Sequence, residues 1–122
     1  MKRTQKDIGT RGEEIALHHL KKQGYHIIAR NYRCTLGEID IIARENDDLV
    51  FVEVKTRTSK GFGSPEEAVY GKKQRKIIQV ALYYMNETYL DGCNVRFDVV
   101  AITAEREGTV VNLIRNAFDL TE

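Results

Sequence analysis

The chain has little of what marks several protein classes. Only two cysteines, Cys34 and Cys93, occur in 122 residues. That is too few for a disulfide scaffold and matches a reducing compartment. No CxxC pair is present, and the three histidines, His18, His19 and His26, lie together near the start, so a zinc site is not expected. Proline occurs once and 42% of the residues are hydrophobic, an ordinary globular composition that sets disordered and fibrous classes aside. No apolar run approaches the roughly 20 residues that cross a bilayer. The first residues, MKRTQKDIGTRGEE, are basic without an apolar stretch, unlike a secretory signal. One cytoplasmic domain, 1–122, with no membrane association, is the expectation.

Charge is balanced overall but not along the chain. Residues 1–76 carry a net +5 and residues 77–122 a net −4, within a total of +1. Lys55, Arg57, Lys60, Lys72, Lys73, Arg75 and Lys76 are opposed locally only by Glu66 and Glu67. Such a basic region is either a phosphate-backbone footprint or a solvated lysine-rich helix end, and charge alone does not choose.

Hydrophobic periodicity predicts an α/β fold. An amphipathic helix is expected over 10–23, closed by Gly24, with Ile15, Ala16 and Leu20 on its inner face. Strands follow over 25–33, 38–44 and 49–57, with a hairpin connection at 34–37 and a turn at Glu45-Asn46-Asp47-Asp48. After the loop TSKGFGS, Ser64-Pro65-Glu66-Glu67 reads as a capped helix start. A long helix over 72–89 has the stripe Ile77, Ile78, Ala81, Leu82, Tyr84 and Met85. A fourth strand is expected over 94–103 and a short fifth over 109–114. The α-β-β-β-α-β order implies a mixed sheet of four to five strands flanked by helices.

Charges inside the strands are the anomaly. On the third strand, alternation puts Glu53 and Lys55 on the same face as Leu49 and Phe51. On the second, it puts Ile39 and Ile41 on one face, with Glu38 and Asp40 on the other. Buried ionised groups must be paired or bind metal. A Glu53–Lys55 salt bridge is the simple account of the third strand. A second carboxylate from Asp40 leaves a net negative notch, which suits Mg²⁺ or Mn²⁺. Helical spacing directs Glu13 toward the sheet and Glu14 toward water. Gln74 falls within the apolar stripe of the second long helix, with Lys72, Lys73, Arg75 and Lys76 fanned around it. Tyr32 and Phe62, near the basic loop, are candidates for stacking on bases.

The sequence resembles the YraN family of small bacterial proteins, which are similar to archaeal Holliday-junction resolvases within the PD-(D/E)XK, restriction-endonuclease-like superfamily. The residues that carry this are G-x-x-G-E at Gly9 to Glu13, NYR at Asn31 to Arg33, GEIDII at Gly37 to Ile42 and FVEVKTR at Phe51 to Arg57. FGSPEEAV at Phe62 to Val69, KKQ at Lys72 to Gln74, RFDVV at Arg96 to Val100 and NAF at Asn116 to Phe118 extend it over nearly the whole chain. Ile39 stands where the superfamily's name-giving proline is written.

The resemblance implies a restriction-endonuclease-like fold, with Asp40 and Glu53 as metal-binding acids, the Val54 carbonyl as a further ligand, Lys55 as the motif lysine and Glu13 as the N-terminal helix acid. The implied activity is Mg²⁺- or Mn²⁺-dependent endonucleolytic hydrolysis of DNA, branched or single-stranded. Arg57, Lys60, Lys72, Lys73, Gln74 and Arg75 are then the nucleic-acid-binding residues, and a homodimer is the implied assembly. The alternative is a catalytically weak or silent nucleic-acid-binding adaptor in DNA repair, recombination or uptake. A purely structural protein whose acids form ion pairs is a third reading.

Overall fold

A computed structural model describes residues 5–58, 71–88, 93–105 and 108–119, with backbone alone for 5–10. The elements are α1 (Gln5–Lys22), β1 (His26–Cys34), β2 (Gly37–Glu45), β3 (Asp48–Thr58), α2 (Gly71–Thr88), β4 (Asn94–Glu105) and β5 (Gly108–Phe118). The strands lie in one sheet in sequence order, β1-β2-β3-β4-β5. All neighbours are antiparallel except β3 and β4, which are parallel. A parallel pair needs a crossover, and α2 stands in that connection. The mixed α/β sheet is as the periodicity predicts. The expected Ser64 helix start, Lys60, Phe62 and Tyr89 lie outside the described residues.

Leu49, Val50, Phe51 and Val52 are all essentially buried because β3 is central and covered on both faces. On one face Ala16, Leu17 and Leu20 of α1 meet Ile41, Ala43, Val50, Val52, Val100 and Ile102. On the other, Ile77, Ile78, Val80, Ala81 and Tyr84 of α2 meet Ile39, Ile42, Leu49, Phe51, Phe97, Val99 and Phe118. Each buried Leu or Ile contributes about 1.5–3 kcal/mol. The α2 face carries an aromatic chain: Tyr32 edge-on to Tyr84, Tyr84 edge-on to Phe51, Phe51 stacked on Phe97, and Phe97 stacked on Phe118. Tyr32, half-buried, packs edge-on against Tyr84 with ring centroids 5.1 Å apart. Phe118 at the end of this chain explains why β5 continues four residues past the expected Ile114.

Two further expectations change. Leu82 is 51% exposed, while Val80, left out of the predicted stripe, is fully buried. The stripe is rotated toward Lys73, Val80 and Tyr84, which follow one another at i+7 and i+4. Helix α1 also begins at Gln5, five residues before the predicted start. Among the described residues, no helix is long and apolar enough to cross a membrane.

Ile39 and Ile41 do not share a face. Ile39 packs on the α2 side and Ile41 on the α1 side, although strand alternation assigns them together. The reason lies at Asn31 and Asp40, opposite each other in the β1–β2 hairpin between the Arg30–Ile41 and Tyr32–Ile39 pairs. Asn31 has φ of 50°, a left-handed conformation that turns its strand over. Arg30 accordingly reaches Glu14 on α1, while Tyr32 packs under α2.

Candidate active site

The same turnover opens the sheet. Pairing of β2 with β3 runs from Glu45–Asp48 to Ile41–Val52 and stops there. Beyond it, β2 follows β1 as far as Cys34–Gly37, and β3 follows β4 as far as Thr58–Ala104. Residues 37–40 and 53–58 therefore diverge, and a gap opens between two strands that were adjacent. Strand divergence leaves backbone donors and acceptors without a ladder partner. Here the Asp40 side chain takes up one of them: Val54 N donates to Asp40 Oδ2 at 2.8 Å. In a strand the N–H and C=O of one residue point to the same neighbour, so the Val54 carbonyl is directed into the gap too.

Glu53 enters from the α2 side of β3, where the alternation predicts it, and is only 7% exposed. Its Oε1 accepts the Lys73 ammonium at 2.8 Å, and the Lys55 ammonium stands at 3.8 Å. A pocket of about 290 Å³ lies over Glu53 and Lys73. Gly37, Glu38 and Asp40 of β2, Glu53 of β3, and Lys73, Lys76, Ile77 and Val80 of α2 line it. Gly37 adopts φ of 149° and brings its backbone against Val80, where an added Cβ would stand 3.1 Å from Val80 Cγ2.

The electrostatics mark the pair of acids. Burial first, and then the charge of Glu53, push the Asp40 carboxyl up to about 7 against the lowering pull of the Val54 N–H. Glu13 and a hydrogen bond with the Glu53 side chain act in the same raising direction. Burial and the neighbouring Lys73 hold Lys55 below the usual lysine value. Lys73 is also opposed by burial, but its bonds to Glu53 and Lys55 outweigh this and raise it.

Glu13 is brought to the same end of the sheet by a close approach. Gly12 is buried, and a Cβ there would lie 2.2 Å from Thr56 Cγ2, so only glycine lets α1 sit this near β3. The next residue, Glu13, is half-buried and contributes to the raised pKa of Asp40. With the Asn31 amide oriented nitrogen-first, it donates to both Glu13 carboxylate oxygens at 3.2 and 3.3 Å.

The sequence-predicted residues thus separate into groups. Asp40, Glu53, Lys55, the Val54 backbone and Glu13 gather at the gap. Lys73, expected on the rim among phosphate-gripping cations, is instead turned inward onto Glu53. Lys72 and Arg75 are exposed, Arg57 and Gln74 are half-buried, and Lys60 lies outside the described residues. Two contributors were not singled out for the site. Lys76 lines the pocket, and its i+4 spacing to Val80 could have placed it there. Asn31, a turn-favouring residue inside a strand pattern, was the available signal for the turnover.

A second polar cluster occupies the other end of β3 and β4. Arg96 donates to Glu45 at 2.6 Å, Asp48 at 3.0 Å and Asp98 at 2.9 Å, and also to the Tyr25 hydroxyl. Asp98, fully buried, also accepts from Tyr25 at 2.6 Å and from the Asn116 backbone at 2.9 Å. Arg115 donates twice to Glu45. Burial and the hydrogen bond to Asp98 push the Tyr25 hydroxyl well above its ordinary value.

Known proteins place the chain in a family. The model of the uncharacterised protein family UPF0102 matches residues 12–102. A UPF0102 protein of Syntrophus aciditrophicus is 48% identical over 112 residues, covering 92% of this chain and 88% of its own. One of Caldicellulosiruptor saccharolyticus is 49% identical over 115 residues, 93% of this chain and 98% of its own. One of Lachnoclostridium phytofermentans is 52% identical over 112 residues, 91% and 92%. With matches of this extent, and with motifs that resemble the YraN proteins, the chain belongs to family UPF0102.

Proposed function

We propose that this protein is a Mg²⁺- or Mn²⁺-dependent endonuclease that hydrolyses DNA phosphodiester bonds, in branched or single-stranded substrates. The observation that carries this reading is the meeting of Asp40 and Glu53 in the gap where β2 leaves β3, close enough for the charge of Glu53 to raise the cost of ionising Asp40. Such a pair has no use in a sheet core unless a cation or a shared proton compensates it.

The donor set fits a hard divalent ion. Magnesium takes one or two carboxylates and keeps several waters. Asp40, Glu53 and the Val54 carbonyl supply such a set. Among the described residues no group of three or more acidic, histidine or cysteine side chains gathers to hold a metal, so water and phosphate oxygens would complete the shell. A bound ion supplies Lewis-acid stabilisation of the charge that builds on the phosphoryl oxygens.

The chain's own groups do the rest. Asp40 and Glu53 fix the position of reaction by converging from two strands. Lys55 Nζ, 3.8 Å from Glu53 Oε1 and held below its ordinary pKa, is the group beside the acids suited to holding or taking a proton. As an ammonium it steadies charge on a phosphate drawn toward Glu53. Glu13, held by Asn31, adds a further carboxylate near Asp40. Lys72 and Arg75, exposed on the first turns of α2, together with Arg57 and Lys60, hold flanking phosphates without reading bases.

The test is cleavage of branched, single-stranded and duplex DNA in Mn²⁺, beside Asp40→Asn. Cleavage by the unaltered protein is expected to stop with EDTA, and the variant is expected to bind without cutting. Equal cleavage by Asp40→Asn would refute the assignment.

One observation favours a second reading, the silent adaptor: Glu53 is already neutralised by Lys73 at 2.8 Å. An adaptor would bind DNA with a steep salt dependence that neither EDTA nor Glu53→Gln alters.

A further inference from the structure

Glu53 is 7% exposed and has an ammonium at hydrogen-bond distance, Lys73, with Lys55 standing farther away. A buried carboxylate requires such a cation. Lys73 Nζ, however, already holds one of the two Glu53 oxygens that a metal ion could use. A divalent ion bound by Asp40 and Glu53 and an ammonium 2.8 Å from Glu53 Oε1 would repel each other strongly in a partly dry pocket. The two cations are alternatives.

Lys73 is able to leave. Its side chain is 41% exposed, on a flexible four-carbon stem in the first turn of α2. That turn carries no acid. Lys72, Arg75 and Lys76 surround it, all exposed, and Lys76 also lines the pocket. A phosphate drawn to this turn would give the Lys73 ammonium a second anion, outside the pocket and one side-chain swing from the first.

We infer that Lys73 is a resident counter-ion of Glu53, which a nucleic-acid phosphate draws away so that a divalent ion can take its place. Metal and substrate then load together. This deepens the nuclease reading and rests on it. By linkage, whatever factor the phosphate contributes to metal affinity, the metal contributes equally to phosphate affinity. Lys73 acts through Glu53 and is a positioning residue.

The test is Mn²⁺ uptake followed by electron paramagnetic resonance of the free ion. Protein is titrated alone and with saturating single-stranded oligonucleotide, with the oligonucleotide alone as blank. A saturating oligonucleotide is expected to tighten uptake by the unaltered protein about tenfold, inside the usual 5–150-fold range of coupling between sites. Lys73→Met is expected to take up Mn²⁺ about tenfold more tightly without DNA and to lose the response to it. Lys73→Gln, which keeps a hydrogen-bond donor for Glu53 but no charge, carries the same expectation should the methionine variant fail to fold. Lys73→Arg keeps the charge and should keep the coupling. If the neutral variants bind Mn²⁺ no more tightly than the unaltered protein while that protein does bind it, the counter-ion role is wrong and the metal site stands. If no form binds Mn²⁺ with or without DNA, the nuclease reading fails and this inference with it.

Discussion

The two polar clusters of this sheet are built from similar residues and behave in opposite ways. At one end Arg96 faces Glu45, Asp48 and Asp98, and every acceptor of the buried Asp98 has a donor. Arg96 is held even more firmly protonated than usual, with its bonds to Asp98 and Glu45 overcoming burial. Burying those charges costs free energy that the forked guanidinium bonds return. At the other end two carboxylates from diverging strands are pressed together, and Asp40 is raised to about 7. The first cluster is complete as it stands. In the second, Lys73 already neutralises Glu53, and the raised Asp40 is the group left to be met by a proton or a cation, a condition found at many functional sites.

Substitution should break this contrast most visibly at the satisfied end. Arg96→Met leaves Asp98 buried without its cation and should cost about 3–5 kcal/mol in chemical denaturation, with little direct effect on metal uptake.

At the Asp40–Glu53 end, removing charge should stabilise. The Asp40 carboxyl lies at about 7, above the ordinary aspartate value of 3.8, so between those pH values the folded chain holds a proton that the unfolded chain has released. The stability this contributes is complete below about pH 4 and is lost as pH rises through about 7. Asp40→Asn should therefore be the more stable protein at pH 8, on the order of 2 kcal/mol, with the gain fading toward pH 5. Paired melting curves across that range check it. A loss of stability at pH 8 would contradict the account of the two acids.

A smaller effect is expected where α1 meets β3. Gly12→Ala places a methyl against Thr56 Cγ2 and should cost about 1–2 kcal/mol net of its better helix propensity. It should also displace Glu13 from the site. Thr56→Ser, which removes the clashing methyl, should restore most of that stability in the double variant.

The paired acids were legible because alternation makes a charge in a buried strand conspicuous: Glu53 follows Phe51 on the face that α2 covers. The same test applied to β4 would have exposed Arg96 and Asp98, which share a face with Val100 and Ile102. What periodicity could not carry was the turnover at Asn31 and Asp40. A strict period of two puts Ile39 and Ile41 on one face, whereas β2 changes face at Asp40, opposite the left-handed Asn31 of β1. The gap that follows from it was likewise hidden, since strand separation depends on which of two neighbours each segment keeps. Lys73 was read as a rim cation because lysine on a helix is ordinarily solvated. Its spacing to Val80 and Tyr84, once the stripe is centred correctly, points inward. The extension of β5 was obscured by Arg115 and Asn116, whose roles lie in the far cluster and not in the core.

The central claim is that Asp40 and Glu53 together hold a divalent ion. Calorimetric titration of Mn²⁺ into oligonucleotide-saturated protein, compared with Glu53→Gln treated identically, tests it most directly. One bound ion that disappears in the variant is the predicted result. Equal uptake by both proteins would contradict the claim.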